Sequence, residues 1–397
     1  MTTLKKISPA ADASANKPGK FYNFLMKNDA AVSGIVVLLG FLVATILVLL
    51  VGRNPAGMYK SILQVVTGWN IDRGTWNVRY VGDWLTYSIP YIMCGFSMAF
   101  AARAGLFNIG GEGQYIIGVT IAQLAALYFP QIPVLHWVAA LLCAMIAGAV
   151  WGGVVGILKA KFEVSEVVST IMLNYIALYL SRIIIMAVPG TNTYKTADFP
   201  VTALLQSKFL SAITNGSLLN YGIYITIIVT ILYWFMMEKT NMGFALRATG
   251  FNKDAAHYAG IPVVASIFLS MAISGAYAGL GGGIVALGSF KYGRVLSSMD
   301  NYGFTGIAVA LVGNNKAFGT LLAGLLFGML QASQPLMQSK SIPKEITFII
   351  QGLVVVFIAL KTGLRLFISW QEKKKIERAQ KAQSAAATNT DSDGGSK

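Results

Sequence analysis

Few side chains here could do chemistry, and those that could sit in apolar surroundings. The stretch GLFNIGGEGQYIIG, residues 105–118, sets Asn108, Glu112 and Gln114 among glycines between two hydrophobic runs. Asn174 stands midway along another apolar run with Tyr175 and Tyr179 beside it, and Ser97, Thr120, Gln123 and Ser274 are placed similarly. Amides and hydroxyls in such runs have two uses. They can line a hydrophilic path, or they can hydrogen-bond between helices, worth about 0.6 kcal/mol on average. A carboxylate costs more, roughly 2.5–3.5 kcal/mol at the centre of a membrane helix. Glu112 lies just before QYIIGVTIAQ, and a helix N-terminus favours a carboxylate through its dipole and free amides. The glycines permit sharp turns. The stretch reads either as a broken or re-entrant helix start that lines a cavity, or as an interfacial cap with Glu112 in water.

Enzymatic chemistry has little to stand on. The two histidines, His136 and His257, rule out a multi-histidine metal site, and no metal ligands are assigned. Cys94 and Cys143 lie in apolar segments and read as small core hydrophobes. There is no Ser/His/Asp set, no HExxH and no phosphate-binding loop with its lysine. No catalytic residue is assigned.

The surrounding composition explains the setting. Of 397 residues, 55% are hydrophobic and 12% charged, about half the charge fraction of a soluble domain. Apolar runs near the ~20 residues that span a bilayer recur along the chain. They predict an all-α polytopic membrane protein of about ten transmembrane helices: 33–51, 84–102, 115–129, 134–157, 166–188, 221–237, 263–288, 303–313, 317–333 and 345–365. Residues 1–32 and 366–397 read as polar tails, the latter disordered beyond its first turns, around a transmembrane domain at 33–365. Trp69, Trp76 and Trp84 suit headgroup depth, and part of 52–82 suits an interfacial helix. The spaced small residues of 134–157 permit close helix contact.

The net charge of +15 lies mostly at the ends. It reads as a topology signal and as contact with anionic lipid, with no basic groove for nucleic acid. Lys and Arg are more numerous in segments placed inside when both termini are cytoplasmic. Ala-Gly-Leu precedes a glycine cluster twice, in ARAGLFNIGGEG and GAYAGLGGGIVALG, which suggests an inverted repeat with broken helices. The charged segment 238–262 holds GFNKDAAHYAGIP, residues 250–262. Residues 254–260 have helix-forming character, as a docking element or an ordinary solvated loop. Asn314 and Asn315 with Lys316 form a turn in the simplest reading.

These motifs resemble a family. GLFNIGGEGQ (105–114) is similar to the signature of permease subunits of ATP-binding-cassette importers in the branched-chain amino acid, ribose and nucleoside group. Its FNIGGEGQ form is similar to the nucleoside and simple-sugar permeases partnered with basic-membrane-protein-type binding lipoproteins. GFALRATGFNKDAAHYAGI (243–261) resembles the importer coupling loop, EAA-xxx-G, with Asp254 in place of Glu, then Ala255, Ala256 and Gly260. GFTGIAVALVGNNKAFG (303–319) resembles the family's late broken helix.

The resemblance implies a permease subunit of a bacterial inner-membrane importer that hydrolyses no ATP and binds no cofactor itself. ATP and magnesium would sit on partner ATP-binding subunits. These would dock on a coupling segment that includes Asn252, Asp254, Ala255, Ala256 and Gly260. Further expected partners are a second permease, related or identical, and an extracellular substrate-binding lipoprotein. The expected solute is a nucleoside, with Asn108, Glu112, Gln114, Asn174 and Ser274 as candidates for its path. A simple sugar or another small polar solute on the same fold is the alternative. A secondary transporter driven by an ion gradient, a different class, should carry intramembrane carboxylates, and only Glu112 is a candidate.

Overall fold

The computed structural model describes residues 29–360 and scattered helical positions from 363 to 378. The predicted polar tails therefore lie mostly outside the described residues, although the first helix begins within the first of them, at Asp29, and scattered positions of the second from 366 to 378 are helical. The chain divides into two compact units, one of Thr45–Gln351 and one of the described parts of 1–44 and 352–397. In the second unit a Cβ added to Gly40 would lie 2.9 Å from Val354 Cγ2.

Apolar composition dictates helices here, because helices satisfy their own backbone groups in lipid. In chain order α1 is Asp29–Leu50, α2 Pro55–Thr67, α3 Arg79–Arg103, α4 Gly111–Tyr128, α5 Leu135–Phe162, α6 Glu166–Met186 and α7 Lys208–Ile213. Then come α8 Gly222–Lys239, α9 Asn241–Phe251, α10 Lys253–Tyr258, α11 Val263–Ser289, α12 Tyr302–Val312, α13 Ala317–Ser339 and α14 Glu345–Ala359. Among the described residues seven helices are long and apolar enough to cross a membrane: α1 from Val32, α3, α5, α6, α8, α11 and α13. The other three expected spans are the more polar, buried α4 and the shorter apolar helices α12 and α14.

Two short hairpins complete the fold. β1 (Trp69–Asn70) pairs antiparallel with β2 (Thr75–Trp76), and β3 (Lys195–Asp198) with β4 (Tyr292–Arg294). The expected interfacial helix is α2, capped by the Asn54 side chain on Ala56 N at 2.9 Å. Trp84 differs from the headgroup reading, because its Nε1 donates to Leu325 O at 2.8 Å inside the packing.

Small residues set the core. A Cβ on Gly275 would lie 2.1 Å from Gly148 O, so α5 and α11 touch backbone to backbone, as the small-residue spacing predicted. Phe96, Phe100, Tyr233 and Tyr277 pack with ring centroids 5.1–6.0 Å apart and join α3, α8 and α11. The two Ala-Gly-Leu runs have different backbones. The first crosses the break between α3 and α4, and the second lies inside the continuous α11. Asn314 and Asn315 make the expected turn, both with left-handed φ (53° and 54°), between α12 and α13.

Candidate functional site, a polar knot at a helix break

α3 ends at Arg103, and α4 starts at Gly111, four residues earlier than its apolar run suggested. Glu112 is thus in the first turn of α4. Its carboxylate makes its hydrogen bonds to another helix. Oε1 accepts from Asn301 N at 2.8 Å and Oε2 from Gly303 N at 2.6 Å, at the start of α12. A Cβ on Gly303 would lie 2.1 Å from Glu112 N. Two helix N-termini therefore meet, and one carboxylate answers the positive ends of both. Glu112 is fully buried, so the reading as a water-exposed cap does not apply.

The other expected path residues gather around this junction. Asn108 Nδ2 lies 2.8 Å from Gln114 Oε1, 2.5 Å from Ser274 Oγ and 3.1 Å from Ser97 Oγ. Ser274 Oγ donates to Ser97 O at 2.6 Å, tying α11 to α3. Asn108 Oδ1 accepts from Gly110 N at 3.0 Å and from Gln114 Nε2 at 3.2 Å. On the other side Asn174 of α6 accepts from Gly113 N at 2.7 Å and donates to Ile109 O at 3.1 Å. Asn108, Glu112, Gln114, Asn174 and Ser274 are each at most 1% exposed. Side-chain amides replace the backbone partners that a broken helix lacks.

The segment expected to couple to a partner, residues 250–262, lies next to the same break. Asn252 caps α10, its Oδ1 accepting from Ala255 N at 3.0 Å. Asp254, Ala255 and Gly260 are exposed, and Ala256 alone of the motif turns inward. Gly260 has φ +80° and open space around it, so it ends α10 in the left-handed region that glycine favours. Phe251 and Tyr258 are both 91% exposed. The segment is held from behind: Glu238 pairs with Arg103 at 2.7 Å and with Arg247, joining the ends of α3 and α8 to α9. A Cβ on Gly105 would lie 2.9 Å from Gly250 Cα. The last turn of α9 thus presses on the turn that leads into the knot.

Sequence reasoning missed several partners. Arg294 pairs with Asp300 through 2.7 and 3.3 Å contacts, and Tyr115 Oη donates to Asp300 Oδ2 at 3.2 Å, one residue before the Glu112-bound Asn301. Nothing local in GRVLSSMDN marks that pair, which a fold must bring together. Gly303 stood at the head of a quoted motif without a reason for being glycine. His136 is a core residue, with Nδ1 2.9 Å from Thr202 Oγ1 and Nε2 3.2 Å from Ala125 O.

The chain is 40% identical over 342 residues to the guanosine ABC transporter permease protein NupP of Bacillus subtilis, covering 86% of this chain and 96% of that one. It is 35% identical over 354 residues to the nucleoside ABC transporter permease protein NupB of Lactococcus lactis, covering 87% and 95%. It is 30% identical over 293 residues to the glucose ABC transporter permease protein TsgB13 of Haloferax volcanii, covering 69% and 74%. No solved structure matches it significantly. The family described as branched-chain amino acid transport system / permease component matches residues 80–359, a span that contains the whole knot, the 250–262 segment and the α12 junction, and this multi-pass membrane chain belongs to that family.

Proposed function

We propose that the chain is the translocation subunit of an ATP-binding-cassette importer for nucleosides. It works in a bacterial cytoplasmic membrane with both termini inside. Relatives named for guanosine and nucleosides support the solute over most of the chain's length. The relative named for glucose keeps a simple sugar as the second reading. ATP and magnesium act on two partner ATP-binding subunits. This subunit contributes no catalytic group. A second permease, related or identical, completes the path, and an extracellular binding lipoprotein delivers solute.

The observation that carries the mechanism is the contact between Gly250 and Gly105. A force on exposed Phe251 at the end of α9 and on Tyr258 of α10 reaches the turn before Asn108 through Gly250 with no intervening side chain. There the hydrogen bonds of Asn108, Gln114, Ser274 and Asn174 grip the start of α4, and Glu112 grips α12. Rigid connections of this kind convert partner closure into helix movement. In this reading the five buried polar residues govern the path by holding the helices around it, and Asn252, Asp254, Ala255, Ala256 and Gly260 shape the docking element.

Uptake of radiolabelled uridine, adenosine, ribose and glucose by cells with and without the gene tests the function, with ATP depletion as a second arm. Gene-dependent nucleoside uptake that needs ATP and survives collapse of ion gradients is the expected result. Loss of sugar uptake alone would move the solute to the second reading. Uptake driven by an ion gradient would sink the importer assignment.

A further inference from the structure

The outward faces of the membrane helices differ in kind. α5 presents Leu142, Ile146, Val150, Val154 and Ile157, all aliphatic. α8 presents Ile227, Ile228, Ile231, Leu232 and Phe235, with Tyr224 and Trp234 toward its two ends. The α5 face suits acyl chains. α6 differs from α5. Its inner stripe, Thr170, Asn174, Ala177, Ser181 and Ile185, is buried against the rest of the subunit, through Asn174 to Gly113 and through Ser181 to Thr120 at 2.6 Å. Its outward side carries exposed Ile171, Ile176 and Ile183 and, beside them, a stripe of Met172, Tyr175, Tyr179, Arg182 and Met186 at alternating spacings of three and four, one continuous helix face. Tyr175 is 53% and Tyr179 62% exposed. Arg182 is exposed and has no ion-pair partner among the described residues.

A guanidinium and two phenols on one outward stripe, within a helix long enough to cross the membrane, are costly against hydrocarbon. Charged and polar groups at membrane depth face a protein interior or a water-filled cavity. The chemistry of the stripe is also specific. Tyr rings offer flat faces for a base, and every base has a π-face to stack. The phenols and the guanidinium offer hydrogen bonds to carbonyl and ribose oxygens with no acidic group nearby on the stripe. A path for a neutral, aromatic, hydroxylated solute needs that combination.

We infer that the Tyr175–Tyr179–Arg182 face of α6 is the wall of a water-filled translocation path, along which a nucleoside stacks as it passes. This inference rests on the nucleoside reading above for its solute, and on the stripe itself for its place. The buried Asn174 on the opposite face then links the wall to the knot. A shift of the α4 start, gripped by Asn174, turns the wall.

The test uses the full importer in cells, with C143A as background. Single variants Y175C, Y179C and I146C are exposed to a charged, membrane-impermeant thiol reagent, with and without uridine. Y175C and Y179C should label, uridine should slow that labelling, and I146C should stay silent. In parallel, Y179A should raise the KM for uridine about tenfold and Y179F should restore most of it, the size expected for one stacked base. If Y179A does not reach the membrane, the labelling experiment decides alone. Labelling at 175 and 179 no faster than at 146 would overturn the path assignment while leaving the importer function intact. Labelling that glucose slows and uridine does not would overturn the nucleoside part here, together with the solute proposed above.

Discussion

Glu112 and Gly303 are bound backbone to carboxylate across 191 positions of sequence, Gly303 N donating to Glu112 Oε2 at 2.6 Å. The second oxygen takes the Asn301 amide at 2.8 Å. A single side chain on α4 thus supplies the cap that α12 lacks, since Asn301 makes no side-chain cap of its own. It also explains why a carboxylate survives in an apolar interior: it is hydrogen-bonded twice and faces two helix N-termini.

Replacing Glu112 by Gln removes the charge and turns one acceptor into a donor aimed at an amide. The loss should be on the order of 1.5–3 kcal/mol, the range for hydrogen bonds to charged groups. Uptake and the melting temperature of the purified subunit should both fall. Glu163→Gln, at the exposed left-handed end of α5, should change neither appreciably. Equal, mild effects at both positions would remove Glu112 from the role described.

Gly303 and Gly111 form a matched pair for the close approach. A Cβ at Gly303 would meet Glu112 N at 2.1 Å, whereas at Gly111 the nearest atom is Ser97 Oγ at an ordinary 3.6 Å. Gly303→Ala should therefore cost about 1–3 kcal/mol or more through forced backbone displacement, and Gly111→Ala should be near neutral. Membrane yield and thermal unfolding in detergent measure both. A stable Gly303→Ala with normal uptake would contradict the junction.

The proposed coupling segment separates backbone from surface effects. Gly260 has a positive φ and free space, so a larger residue there acts through a strained turn, at ~1–2 kcal/mol, and not through a clash. Gly260→Ala should reduce uptake, and Gly260→Asn should recover part of it. Phe251→Ser and Tyr258→Ser change fully outward rings and should leave stability within about 0.5 kcal/mol. They should nonetheless weaken co-purification of the ATP-binding subunit roughly fivefold or more, as loss of an aromatic anchor does. Undiminished co-purification of the double variant would place docking elsewhere.

Asp72 provides a pH signature outside the membrane helices. Hydrogen bonds from Lys340 and then Lys60, at 2.8 and 2.6 Å, hold its carboxyl at about 2, below the ordinary 3.8. A depressed pKa gives stability that is fully present above the unfolded value and is lost as pH falls from there through the folded one. Wild type should thus exceed Asp72→Asn in thermal stability at neutral pH by a small margin, because the pair is solvent-screened. The two should converge between pH 3.8 and about 2. A gap that persists below that window would assign the difference to something other than the charge.

Much of the architecture follows from local composition alone. Apolar length fixes helices in lipid whatever their neighbours do, so the spans, the small-residue face of α5, the Asn314–Asn315 turn and the short helix before Gly260 were legible in the sequence. The polar residues of the GLFNIGGEGQ break were legible too, because amides and a carboxylate among glycines conflict with an apolar setting. Their partners were not. Whether Glu112 caps its own helix or another depends on where Gly303 arrives, and that is decided by the packing of α3, α4 and α12. The same holds for Arg294 with Asp300, for Gly105 against Gly250, and for which side of α6 is covered. Sequence sets what each segment can bond to, because propensity and hydropathy are local quantities. Tertiary structure chooses the partner, because buried hydrogen bonds and backbone contacts are made between segments that only the whole fold brings together.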